Sequence, residues 1–133
     1  MIKKFDHVAL VVKNTESSWA LLSNLFGFQK VECRAEPEAG FKSTLISRAD
    51  VTLELIEPTA PHGPIHNFVE KRGGGLHHIS IQVENLQEEI DRLRPLGVQF
   101  VGSEPVQVSE GTRVIFIHPR STDGLMIELM ERK

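Results

Sequence analysis

The feature that most constrains the fold is an internal repeat. Residues 6–12 read DHVALVV and residues 77–83 read HHISIQV, so a histidine opens a β-branched, strand-like run in each half of the chain. A segment with helical spacing of apolar residues follows each run, and three short strand candidates come after it. Because a half of about 60 residues has only a marginal core, the two halves are expected to pack as one domain.

Both halves are therefore predicted to have the order β-α-β-β-β, which is an α+β fold. Asn14 or Thr15 is predicted to cap the first helix, which runs through Phe26 and stops at Gly27. Asn85 is predicted to cap the second helix, which stops near Pro95 and Gly97. The strand candidates that follow the helices are Phe28–Cys33, Phe41–Ser47, Val51–Glu57, Val98–Val101, Arg113–His118 and Leu125–Met130. We predict module one at 1–58, a linker at 59–74 with a short helix over Ile65–Lys71, and module two at 75–133.

Composition excludes several classes of function. The 133 residues include 15 basic and 18 acidic side chains, and no Lys/Arg run exceeds two residues, so binding to nucleic acid or to a membrane is not expected. No apolar run approaches the roughly 20 residues of a membrane span, and the start has no signal-peptide core, so we expect a cytoplasmic protein. Cys33, the single cysteine, is predicted to be a buried, inert thiol in a strand.

Strand alternation singles out four polar side chains. His7 lies on the face opposite Val8 and Leu10, and His78 on the face opposite Ile79 and Ile81. Glu54 and Glu128 lie on the strands that end the two halves, 47 and 50 positions after their histidines. Two imidazoles and two carboxylates suit one divalent ion such as Zn, Ni, Co or Mn. We therefore predict His7, Glu54, His78 and Glu128 as metal ligands.

Each of these residues also has a structural interpretation. A strand glutamate among apolar neighbours is usually the solvated side of a half-exposed strand, and a lone histidine is seldom a ligand. The symmetric placement in a duplicated module is what favours the metal site. His77 points to the opposite face from His78 and is expected to be structural. His118, which ends a strand beside Pro119, binds an anion or caps a turn.

The chain resembles the vicinal oxygen chelate superfamily, which includes glyoxalase I, extradiol dioxygenases and bleomycin-resistance proteins, and within it the methylmalonyl-CoA epimerase family. The resemblance covers nearly the whole chain. Its matching stretches are DHV at 6–8, PEAG at 37–40, ELIEP at 54–58, PIHNFVEKRG at 64–73, GLHHI at 75–79, FIHPRST at 116–122 and IEL at 127–129. The resemblance implies two modules whose curved sheets pair around a cleft with one metal at its base.

The resemblance also implies a reaction and a departure from it. Epimerases of this family remove the proton alpha to an acyl-CoA thioester, and Glu128 resembles one of their two proton-transfer groups. Epimerisation needs a second group on the other face of the planar intermediate. Some epimerases carry a glutamate three positions after the glycine of the Pro-Glu-x-Gly motif, where this chain has Ser43. We expect Ser43, His118 and Arg120 to contact the substrate. The basic candidates for CoA phosphates are Lys71, Arg72 and Arg120.

Three functions therefore compete. The first is a metal-dependent epimerase acting on an acyl-CoA such as methylmalonyl-CoA. The second is a glyoxalase I-like lactoylglutathione lyase, which uses the same ligand types and does not need Ser43. The third is a non-catalytic protein that binds a small molecule, although proteins of that type commonly lack the metal ligands. A dioxygenase is disfavoured because its site uses two histidines and one carboxylate. Exposed strand edges favour a homodimer.

Overall fold

The computed structural model describes residues 1–133 and shows an α+β fold, as predicted. Its eight strands and three helices occur in the order β1 Ile2–Val11, α1 Thr15–Phe26, β2 Gln29–Glu36, β3 Phe41–Arg48, β4 Val51–Pro58, α2 Pro64–Arg72, β5 Gly75–Val83, α3 Leu86–Leu93, β6 Phe100–Ser109, β7 Thr112–Ile117 and β8 Ile127–Arg132. Short 3-10 turns lie at Arg94–Leu96 and Pro119–Ser121. The order β-α-β-β-β occurs twice, with α2 between the two copies. No helix combines the length and the apolar character needed to cross a membrane.

Two compact units divide the chain. The first unit is His7–His77, and the second unit comprises Met1–Asp6 together with His78–Lys133. The first six residues belong with the second unit because Glu84 N–H donates to the Met1 carbonyl oxygen at 3.1 Å, and Arg132 lies 3.4 Å from the Asp6 carboxylate. The repeat in the sequence does not indicate that the start of β1 belongs with the second unit. The predicted grouping of both modules into one domain stays a prediction.

The first unit has strands in the order β2-β3-β4-β1, with β1 and β4 parallel and the other pairs antiparallel. Apolar side chains cover both faces of this sheet. The cluster against α1 contains Phe28, Ile46 and Leu55, packed with Leu10, Val12, Trp19, Leu22 and Leu53. The cluster against α2 contains Ala9, Val11, Ile56 and Ile65, packed with Phe41, Phe68 and Val69. The predicted alternation along β1 is therefore confirmed from Ala9 to Val12.

The second unit repeats this arrangement with the order β5-β8-β7-β6, in which β5 and β8 are parallel. Its apolar cluster lies against α3 and contains Val83, Leu86, Ile90, Ile115, Ile117 and Leu129. The other face of β5 carries polar side chains that are nevertheless buried: His78, Ser80 and Gln82. Buried polar groups need partners to offset their lost hydration, so this face is a candidate for function.

Helices α1 and α3 are each bound to the last strand of their own unit through a glutamate carboxylate. The N–H of Thr15, which begins α1, donates to Glu57 Oε1 at 2.6 Å, and the N–H of Leu86, which begins α3, donates to Glu131 Oε1 at 3.1 Å. Negative charge is favourable at a helix N-terminus, where backbone N–H groups lack helical partners. The predicted caps are confirmed as well, since Asn14 and Asn85 each accept a hydrogen bond from the first turn.

Two predictions about strands were wrong. Cys33 is exposed, because β2 lies at the edge of the sheet order and most of its residues face solvent. The strand predicted over Val98–Val101 begins at Phe100 and continues to Ser109. Most residues of this strand are exposed, and its pairing with β7 shifts register twice. It therefore lacks the regular alternation on which a strand prediction depends.

Gly74 is predicted to be sterically essential. Its φ is +118°, and a Cβ there would lie 2.9 Å from the backbone oxygen of Val11. Gly75 has a similar φ of +115° but open space around the same position. Both alanine variants are expected to be strained, and Gly74→Ala should lower the free energy of unfolding by about 1–3 kcal/mol more than Gly75→Ala. Urea unfolding measures the difference, and equal losses would contradict the steric explanation.

Glu131 is predicted to link stability to pH. It is 3% exposed, and although burial raises its pKa, hydrogen bonds from Arg113 and from the Leu86 N–H outweigh that effect and hold the pKa below its usual 4.5. Because the folded pKa is lowered, the stabilisation is present above pH 4.5 and is lost as pH falls through the folded pKa. Glu131→Gln should cost about 2 kcal/mol at pH 7 and less at low pH. Urea unfolding across pH tests this, with exposed Glu110→Gln as the control.

Candidate functional site

The first pair consists of His7 and Glu54 in the first unit. Parallel pairing of β1 with β4 sets Ala9 opposite Glu54, and His7 lies two residues before Ala9 on the same face. This register brings His7 Nε2 to 3.3 Å from Glu54 Oε1. The His7 side chain is 7% exposed and that of Glu54 is 13% exposed, so both groups are withdrawn from bulk water.

The second pair, His78 and Glu128 in the second unit, has the same construction. Parallel pairing of β5 with β8 sets Ser80 opposite Glu128, and His78 lies two residues before Ser80. His78 Nε2 lies 4.0 Å from Glu128 Oε1, and both side chains are buried. The rings of Phe116 and His78 pack in a T-shaped arrangement, with their centroids 5.0 Å apart and their planes at 88°. The four predicted ligands thus form two pairs in identical register.

The donor atoms of both pairs suit a divalent metal. Each pair places an imidazole nitrogen and a carboxylate oxygen close together, and these are the ligand types that first-row divalent ions bind. Burial of a carboxylate is costly unless a positive charge or hydrogen-bond donors compensate it. A cation held by the imidazole and the carboxylate supplies that compensation, so the residues present fit a metal.

Ser43 contacts the first pair directly. It lies in β3, is 4% exposed, and donates its hydroxyl proton to Glu54 Oε2 at 2.6 Å. The antiparallel register pairs Ser43 with Ile56, two residues after Glu54. In the second unit the corresponding pair is Val114 with Met130, two residues after Glu128. An apolar side chain therefore stands in the second unit where the first unit has a hydroxyl.

Sequence reasoning did not assign a role to Ser80 and Gln82, which share the buried face of His78. Ser80 is fully buried, and its hydroxyl has no hydrogen-bond partner among the protein groups. The corresponding residues of the first unit are Ala9 and Val11, which belong to the apolar cluster against α2. Alternation along β5 predicts that both polar residues share the face of His78, so this signal was available in the sequence.

His77 occupies the opposite side of β5 from His78, as alternation predicts. Its ring packs against Phe68 at a centroid distance of 5.3 Å, in a tilted orientation. Burial lowers the pKa of His77, and the nearby Arg72 lowers it further against the opposing effect of Glu54. These contacts agree with a structural role for this histidine.

His118 and Arg120 lie together at the end of β7. His118 Nδ1 accepts a hydrogen bond from the Arg120 backbone N–H at 3.0 Å, so the imidazole caps the 3-10 turn at Pro119–Ser121. His118 also borders an open cavity of about 530 Å³ together with Arg94 and Phe100. Of the two uses the sequence allowed for His118, the turn cap is observed. Contact of His118 and Arg120 with a substrate stays a prediction.

The chain is similar to a known superfamily, to curated proteins and to a solved structure. Residues 6–116 match the glyoxalase/bleomycin resistance protein/dioxygenase superfamily. The ethylmalonyl-CoA/methylmalonyl-CoA epimerase of Cereibacter sphaeroides is 34% identical over 131 residues, which cover 97% of this chain and 98% of that protein. The uncharacterized protein YqjC of Bacillus subtilis is 32% identical, with coverage of 99% and 94%. The crystal structure of methylmalonyl-CoA epimerase from Mycobacterium tuberculosis matches with a TM-score of 0.90 and 25% identity, covering 99% and 89% of the two chains.

Proposed function

The chain belongs to the glyoxalase/bleomycin resistance protein/dioxygenase superfamily, and on this premise we propose that it is a metal-dependent epimerase. It would move a proton at the carbon alpha to an acyl-CoA thioester such as methylmalonyl-CoA. The observation that carries the proposal is the buried histidine–glutamate pair that occurs twice in the same register. The names of relatives at about 30% identity over nearly the whole chain support the substrate class.

We propose that His7, Glu54, His78 and Glu128 together hold one divalent ion, which is Zn, Ni, Co or Mn. One pair alone provides two ligands, which is fewer than the three or four protein ligands of a typical site of this kind. Two pairs provide four. When bound, the metal would polarise the oxygens of the substrate and make the carbon between its thioester and carboxylate groups more acidic.

Glu128 is the proposed proton-transfer group. Its carboxylate is buried beside His78, and Val114 stands in the second unit at the position that Ser43 occupies in the first. In the first pair, by contrast, Glu54 Oε2 accepts a hydrogen bond from the Ser43 hydroxyl, so this carboxylate oxygen is already engaged. Inversion also requires a proton on the opposite face of the intermediate, and a serine is a poor base at neutral pH. Ser43 would therefore contribute to the second proton transfer only by orienting a water molecule.

One observation favours a glyoxalase I-like lyase as the second candidate. The position where some epimerases have a glutamate carries Ser43, and its hydroxyl is already bound to Glu54. An isomerisation that removes and returns a proton on one face of the substrate needs no carboxylate at this position. The substrate then would be a glutathione hemithioacetal. The homodimer and the cytoplasmic location stay predictions.

Metal addition tests the proposed ligands. Protein freed of metal by chelation is expected to unfold at a higher temperature after addition of Co²⁺ or Zn²⁺, because ligand at about 100 times its Kd adds about 2.7 kcal/mol to the free energy of unfolding. His78→Asn should lose this gain. The adjacent His77→Asn is the matched control and should keep it. Equal metal stabilisation of both variants would contradict the assignment of His78.

Isotope exchange tests the reaction. Metal-loaded protein is incubated with one epimer of methylmalonyl-CoA in deuterated water, and the label and configuration at the alpha carbon are followed. We expect inversion with deuterium uptake, and a decrease of about 10²- to 10⁴-fold in Glu128→Gln, which removes the proton-transfer group. Exposed Glu110→Gln should retain the wild-type rate.

The other outcomes of this experiment separate the candidates. Exchange without inversion would show that a second base is missing and would contradict the epimerase. Turnover of a hemithioacetal, with no exchange in the acyl-CoA, would favour the glyoxalase I-like lyase. Full activity of Glu128→Gln would contradict the role of that residue.

A further inference from the structure

The two units are similar enough for their differences to be informative. Lys42 pairs with Glu57 in the first unit as Arg113 pairs with Glu131 in the second, and both glutamates bind the start of a helix. The next residues along β3 and β7 are Ser43 and Val114. A hydroxyl thus lies beside the glutamate of one pair, and an isopropyl group occupies the corresponding position beside the other.

The two carboxylate oxygens of Glu54 have different neighbours because one of them is hydrogen-bonded to Ser43. Oε2 accepts a hydrogen bond from Ser43 Oγ at 2.6 Å, whereas Oε1 lies 3.3 Å from His7 Nε2. A hydrogen bond to a carboxylate is shorter and stronger than one between neutral groups. Because Ser43 is 4% exposed, water competes little for this contact. The carboxylate is therefore held in one orientation, with Oε1 on the side of the imidazole.

We propose that Ser43 is a positioning residue that makes Glu54 a ligand through Oε1 alone. This inference rests on the proposed function, since it concerns the metal held by the same residues. A group that hydrogen-bonds to a metal ligand fixes the orientation of that ligand and strengthens metal binding. The two glutamates then have different tasks. Glu54 stays oriented by Ser43, and proton transfer belongs to Glu128.

Metal affinity of the metal-free protein tests the inference without relying on catalysis. Competition with a chromophoric chelator measures the Kd for Co²⁺ or Zn²⁺. Ser43→Ala should weaken binding by about 10- to 100-fold, which is typical when a partner of a metal ligand is removed. Ser43→Thr restores a hydroxyl and should recover most of the affinity. Ser43→Cys keeps the shape with a weaker donor and should lie between them.

Thr44→Val is the matched control. Thr44 is the next residue of β3, is equally buried, and directs its hydroxyl to Cys33 Sγ at 3.4 Å. Its removal should leave the metal Kd unchanged. Infrared spectra of the metal-bound protein supply a second readout. A carboxylate that binds through one oxygen has a wider separation between its two stretching frequencies than one that binds through both. Ser43→Ala should narrow this separation, and Thr44→Val should not.

The outcomes distinguish this inference from the proposed function. If the wild-type protein binds no metal, the proposed function fails and the inference fails with it. If the wild type binds metal and Ser43→Ala binds it equally well, only the inference is overturned. A lower unfolding temperature of metal-free Ser43→Ala with an unchanged Kd would make Ser43 a purely structural residue and would also overturn it.

Discussion

The parallel pairing of the first and last strands in each repeat is the constraint on which the rest of the structure depends. It sets Ala9 opposite Glu54 and Ser80 opposite Glu128. Because side chains two residues apart share a face, each preceding histidine then lies beside the glutamate of the neighbouring strand. A shift of one residue in either register would turn the glutamate to the opposite face and separate the pair.

The last strand of each repeat also connects the site to the stability of the fold. Residues three apart on a strand point to opposite faces of the sheet. Glu54 and Glu57 therefore lie on opposite faces, and so do Glu128 and Glu131. The first glutamate of each set lies beside a histidine, whereas the second binds the N-terminus of the helix behind the sheet. The same strand therefore carries both the glutamate of the proposed site and the glutamate that binds the helix.

The sequence predicted the ends of the helices well, because a helix end depends on residues that are close together in the chain. Asn14 and Asn85 cap the helices as expected, and Gly27 ends α1 with a positive φ. The exposure of Cys33 and the length of β6 were missed because both depend on which strands lie at the edges. Residues 54–57 read ELIE and residues 128–131 read ELME. This repetition identifies Glu57 and Glu131 as equivalent residues of the two halves.

The sequence by itself determined which side chains share a face, because alternation along a strand is a property of the local backbone. That was sufficient to place His7 on the face opposite Val8 and His78 on the face opposite His77. Only the tertiary structure decided which residue stands opposite which, since strand register is set by packing between distant segments. The contact of Ser43 with Glu54 is the clearest case. The sequence identified Ser43 as a departure from the family pattern, and the antiparallel pairing of β3 with β4 made it the partner of a proposed metal ligand.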